Sequence, residues 1–346
     1  SMGLCPATSW ADAGNPQFLS AARFADGSYR LCGLSDRGEM AFNLALPGRG
    51  HAAAAHPVLS DAVAFARRPG TFAFVVDCST GRVRTTLAAP DGRHFYGHGV
   101  YSPDGAWMFT TENDYEAARG MVGVWNVRDS YRRAGEFWSG GTGPHDIKLL
   151  PDQRTLVVAN GGIETHPDSG RTKLNLPTMR SNLTYLSLEG AMLDQVSLGD
   201  GHQRNSIRHL AVSPEGDVAF ATQWQGPSET VPSLVGVHRM GAAPRLLIAE
   251  EDRNAMHGYV GSIAFSQTGR RIAATSPRGG LCRLFDAATG GHLGDVELQD
   301  VCGVSGHGDG FVVTTGLGQI AHLDGRGVSP AMQHEGQWDN HLIRVA

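Results

Sequence analysis

Charge is scarce in this chain. Asp, Glu, Lys and Arg make up 18% of its 346 residues, below the ~25% of an ordinary soluble domain. No basic run or basic–aromatic stripe occurs, and the formal net charge is −5, which argues against nucleic acid as the main partner. No apolar run approaches the ~18 residues of a membrane span. Cysteine is sparse too. Cys5, Cys32, Cys78, Cys282 and Cys302 are scattered, odd in number and never in a CxxC pair. That argues against a disulfide framework or zinc ribbon and leaves buried free thiols. A GxSxG nucleophile elbow is missing, and GTG, GGIE and PRGG lack the strand-to-helix setting of a nucleotide fingerprint.

Glycine, at 46 residues, and short apolar runs are what the chain has in plenty. Together they predict all-β structure with tight turns. One turn recurs, as SPDG (102–105), LPDQ (150–153), SPEG (213–216) and SQTG (266–269). Pro and Gly suit it to a hairpin. An apolar run follows each time (AWMFTT, TLVVAN, DVAFAT, RIAATS), and then a further strand pattern such as VGVWNV or LCRLFD. Four short strands per unit of roughly 40–50 residues are the signature of a β-propeller. Innermost strands are expected near His51, His98, His145, His209, Ser262, Cys302 and His341, giving seven blades. Residues 17–45 supply three strands without an inner one, and HLIRVA at the end supplies an inner strand without followers. Joining them in one blade closes the ring and removes open sheet edges. The expected organisation is a tag remnant and flexible signal-peptide tail over 1–16, then a single propeller over 17–346 with a long loop at 161–182.

Five of the seven inner positions are histidine, and the first two steps are equal (98 − 51 = 47; 145 − 98 = 47). In a closed ring such side chains converge on the channel mouth. Neutral imidazole is a ligand for Fe, Cu, Zn or Ni, so His51, His98, His145, His209 and His341 are candidate metal ligands. Glu112 and Asp146 are candidate carboxylate ligands or groups that orient a histidine. Residues ending the second strands (Arg67, Glu112, Asn160, Gln223, Arg278) should ring the same mouth. His166 and Arg171 of the long loop are placed as a lid. Arg67, Arg171 and Arg278 together would attract carboxylates or phosphates. Cys302 is expected as a small buried residue, and Trp107, Trp125, Trp138 and Trp224 as packing between blades. His202, His238, His292, His307, His322 and His334 fall outside the register and are expected to face solvent.

At RHFYGHGVYSPDG, TTENDYE, GPHDIKLLPD, VANGGIETHPDSGRTKLNLPTM and WDNHL the chain resembles a bacterial family, the domain-of-unknown-function family 1513. The resemblance spans nearly all of 17–346. It implies an exported propeller with a twin-arginine signal, a periplasmic location, and association with imelysin-like iron-uptake proteins. Joined to the histidine register, it sets the expectation of a periplasmic propeller that binds a transition metal, iron first and copper second, for metal acquisition or handling. A protein-interaction scaffold of an iron-uptake system is the alternative from another class. A metal-dependent or lactonase-like enzyme acting on a small anion is the third.

Overall fold

The computed structural model describes residues 8–66, 70–170, 172–249, 254–325 and 327–345. These form seven antiparallel sheets, the blades of a propeller. Blade 1 holds Phe18–Arg23, Tyr29–Leu34 and Met40–Leu46, with Gln337–Trp338 and Ile343–Arg344 paired on Phe18–Arg23 from the far end of the chain. Blades 2 to 7 have four strands each and begin with inner strands Gly50–Ala55, Arg93–Tyr101, Pro144–Leu149, Asn205–Val212, Ser262–Phe265 and Val301–His307. The two ends of the chain therefore share one blade, and the ring has no gap. No helix among the described residues is long and apolar enough to cross a membrane.

Burial follows distance from the axis. Second strands such as Asp61–Ala66, Thr155–Asn160 and Gly310–Thr315 are buried at every residue. Fourth strands such as His292–Glu297 alternate between half-buried and exposed, as expected where only one face is covered. Successive blades pack through apolar layers: Phe65, Phe95, Tyr101 and Trp125 between blades 2 and 3, and Tyr185, Ile207 and Phe220 between blades 4 and 5. The recurring turn has one geometry. Gly105, Gly216 and Gly269 take φ of 66°, 87° and 71°, and Gln153 takes the same left-handed position at 60°. At Gly105 glycine is required twice over, because a Cβ would stand 2.3 Å from His56 Nε2.

Three local expectations are corrected. Of the tail expected over 1–16, residues 1–7 lie outside the described residues, and 8–16 carry side chains that pack on the propeller. Trp10 opens a short 3-10 turn, Trp10–Ala13, is buried against blades 1 and 2, and donates its indole N–H to the His56 carbonyl at 2.8 Å. Trp107 and Trp138 are partly exposed, not packed between blades as Trp125 is. Trp138 ends an outermost strand, which has a neighbour on one side only, and Arg119 covers its ring. His238 is buried, held by the Tyr185 hydroxyl at 2.6 Å and the Ala242 carbonyl.

Closure of blade 1 rests on Trp338, which is 4% exposed among Phe18, Cys302, Ile320 and Leu342. Trp338→Ala is expected to cost about 3–5 kcal/mol, the usual range for a large buried aromatic, measured by urea unfolding.

Candidate metal centre

The inner strands would be regular ladders but for interruptions near the axis. In blade 2, Gly50 pairs with Ala66 and Ala53 with Ala64, so His51 and Ala52 face one residue. In blade 3, Phe95 pairs with Glu112 and Gly99 with Thr110, leaving three residues, the last of them His98, opposite Thr111. Blade 4 shifts register at His145 and blade 5 at Arg208, immediately before His209. In blade 1 the inner strand is split, and His341 lies between its two pieces. A bulge adds a residue and re-aims its neighbours; here it turns five imidazoles to the centre. Gly97 makes room for them. Its φ is 97°, and a Cβ there would lie 2.6 Å from the His51 ring.

The rings form one cluster. Centroids are 5.1 Å apart for His51–His98 and His98–His145, 4.8 Å for His145–His209 and 4.7 Å for His51–His341. His209 and His341, at the two ends of the sequence arc, are also 5.1 Å apart, so the arc closes on itself. Two triads have ligand atoms within 4.8 Å of one another: His51, His98, His145 and His98, His209, His341. Blades 6 and 7 contribute no imidazole. At those positions stand Ser262 and Cys302, and the Cys302 thiol is buried against the Thr314 and Trp338 carbonyls, with its pKa pushed up to about 12 by burial.

Two carboxylates orient the cluster. Asp146 Oδ1 lies 3.2 Å from His98 Nδ1 and accepts from Lys148 Nζ, while Oδ2 accepts from the Leu210 amide. Burial works against ionisation of Asp146, but Lys148 and His98 outweigh it and hold the carboxyl well below its usual range. Asp339 Oδ1 stands 3.3 Å from His51 Nδ1. This is the carboxylate–histidine pairing that fixes tautomer and ring orientation around a bound metal. It leaves His98 Nε2 pointing inward. That atom, His145 Nδ1, both nitrogens of His209 and His341 Nε2 are buried with no hydrogen-bond partner in the protein. Each such atom costs about 1–3 kcal/mol if nothing meets it, and a metal ion meets imidazole lone pairs directly. The donor set therefore fits a transition metal.

The cluster plugs the channel between two openings. On one side is a funnel of about 350 Å³ lined by His51, His145 and His209 with Tyr96, Lys173, Arg208, Gln223, Arg278 and Asn340. On the other, an opening of about 530 Å³ reaches His209, His341, Asp146 and Lys148. Gln223 and Arg278 thus stand where the sequence placed them. Glu112 does not: both its oxygens are taken by Arg133, and Thr110 also donates to it, within blade 3. Asn160 is fully buried, joining Ser139 of blade 3 to Asn182 and Thr184 of blade 4. His166 pairs with Glu116 and caps its own turn; among the described residues of the long loop, Lys173 is the one that reaches the funnel. Arg67 and Arg171 lie outside the described residues. Arg208, Lys173 and Asp339 are the residues the sequence did not flag. Arg208 stands next to His209, and Asp339 two residues before His341, and that proximity to the register was the available signal.

The family model described as Protein of unknown function (DUF1513) matches residues 44–345, and the chain belongs to that family. No curated protein matches it. Among solved structures it is similar to a chain of Kuenenia stuttgartiensis hydrazine synthase, with a TM-score of 0.62, 13% identity and 89% of each chain covered. At that identity the likeness is one of fold.

Burial lowers the pKa of His98, His145, His209 and His341, and neighbouring rings lower it further. The unfolded chain, with histidine pKa values near 6.5, therefore binds protons that the folded metal-free chain refuses. Stability is complete above that pH and falls on acidification, by up to ~1.4 kcal/mol per pH unit for each histidine. His209→Gln is expected to flatten the loss between about pH 7 and 5, read from urea unfolding of metal-free protein. An unchanged slope would show that His209 protonates freely in the fold.

Proposed function

We propose that this member of the family holds one transition metal ion at the centre of the ring and serves in metal handling. The carrying observation is the set of buried imidazole nitrogens without partners on His98, His145, His209 and His341, with Nδ1 of His98 held by Asp146 and Nδ1 of His51 by Asp339. His98, His209 and His341 are the most buried ligands, with His51 and His145 completing the set from the funnel side. An all-imidazole set suits iron, copper, zinc or nickel. Iron and a periplasmic location are the choice that the family resemblance favours, with imelysin-like uptake proteins as the partners it implies. The structural triads support a stoichiometry of one. They share His98, whose Nδ1 is engaged by Asp146, so a single nitrogen is left to serve either triad.

Elemental analysis of protein purified without chelators or a nickel column tests this. Close to one metal per chain is expected after loading with iron or copper, and a chain that retains neither would overturn the proposal. His145→Ala/His209→Ala should abolish retention while unfolding stays cooperative. Asp146→Asn keeps all five rings but loses the charge behind His98. Metal affinity, measured by competition with a chromophoric chelator, should fall roughly 10–100-fold.

A further inference from the structure

Blades 6 and 7 put no imidazole at the axis, and the sector they share with blade 1 holds a cavity of its own, about 360 Å³. Tyr259, Arg278 and Asn340 line both this cavity and the funnel, so the two open on the same face. Three charged residues reach it from successive blades. Arg278 follows the second strand of blade 6, Asp300 precedes the inner strand of blade 7, and Arg23 ends the second strand of blade 1. Asp339 lines it as well, but its carboxylate is met by Arg49 of the same wall and by His51. The Asp339–Arg49 pair cancels, which leaves Asp300, Arg23 and Arg278.

Asp300 is the unusual member. It sits at φ 54°, in the left-handed region that few non-glycine residues occupy. Its carbonyl accepts from the Gly316 amide at 3.0 Å. A Cβ at Gly316 would stand 2.0 Å from Asp300 Oδ2, so the glycine leaves the space that the carboxylate fills. The side chain is half-buried, and among the described residues no hydrogen-bond donor and no cation meets its carboxylate. Burial raises its pKa with nothing to offset it. Withdrawing a carboxylate from water without a partner is unfavourable, and a backbone outlier that holds one there points to a function. Arg23 has no ion-pair partner among the described residues either. Arg278 lies over the Tyr259 ring, 4.3 Å from its centroid, a contact that fixes the guanidinium while leaving its charge to be met.

One negative and two positive groups thus line one small cavity, and the molecule complementary to them carries one cation and two anions. We infer that the cavity binds an acidic α-amino acid, with its ammonium on Asp300 and its two carboxylates on Arg23 and Arg278. A dicarboxylate without the ammonium would leave Asp300 unmet and set like charge beside it. A simple cation would leave both guanidiniums unmet. The volume is at the small end of the roughly 300–1,000 Å³ of small-molecule sites, which suits a free amino acid better than a peptide. None of the three groups is a proposed metal ligand, so the site stands without the ion.

Calorimetric titration of L-glutamate, L-glutamine and glutarate into chelator-stripped protein tests it, with metal content checked after desalting. Glutamine lacks the second carboxylate, and glutarate lacks the ammonium. Glutamate is expected to bind, and each of the other two about tenfold more weakly, the effect of one charge-assisted contact. Asp300→Asn keeps a residue type that tolerates the left-handed region, so the turn is kept. It should weaken glutamate about tenfold and strengthen glutarate, a reversal that a merely structural role for Asp300 would not produce. Arg23→Gln changes an exposed residue and should weaken glutamate and glutarate alike. No glutamate binding at millimolar concentration, glutarate as tight as glutamate, or an Asp300→Asn chain that keeps the original order of preference would each overturn the inference. Binding seen only after metal loading would overturn it too, because glutamate would then be a ligand of the ion and not of the cavity.

Discussion

Asp146 is the point on which the centre of the ring depends. Its carboxylate takes the His98 ring from blade 3, the Leu210 amide from blade 5, and the Lys148 ammonium and Ile147 amide of its own blade 4. Three consecutive blades are thereby tied at the axis through one buried anion, 2% exposed. A buried carboxylate is costly unless cations and hydrogen bonds surround it, and here both do. Remove its charge and His98 loses its tautomer, blade 5 an amide partner, and Lys148 its counter-ion, all at once.

This arrangement sustains an accumulation of polar rings at an axis that apolar side chains could otherwise fill. The ladder has to be interrupted to admit them. Every blade that offers an imidazole does so through a bulge or, in blade 1, through a broken strand. Backbone regularity is given up at the axis and recovered within a residue or two, so the apolar layers between blades are undisturbed. Gly97 shows how tight the compromise is, since its missing side chain is the space that the His51 ring fills.

The fold was legible because its signals are local and repeated: a turn of fixed chemistry, period-two apolar runs and an equal spacing of 47. The convergence of five histidines came from the repeat alone. Side-chain direction was harder. Glu112 and Asn160 end second strands, as Gln223 does, yet they turn into the blades. Successive strand residues face opposite ways, and the partners that hold these two, Arg133 and Ser139, stand 21 residues away in each case, too far for spacing to reveal. Bulges add the same difficulty: one extra residue reverses the facing of its successors in the strand. Arg208 therefore reaches the funnel from a position that strict alternation would give to the other face. The ordered residues 8–16 were missed because a short segment rich in small residues reads as a tail unless its one tryptophan is seen to find a pocket.

His341 belongs to the stretch that zips the far end of the chain onto Phe18–Arg23, so the fifth imidazole arrives only when the circle is shut. An ion held by His341 together with His98 and His209, as proposed above, would rivet the seam of the ring. Because it would bind only the shut form, its free energy would add to the work of prising that seam apart. Resistance to proteases, which enter a propeller where its circle opens, would then be set by the supply of metal as much as by the packing of the blades.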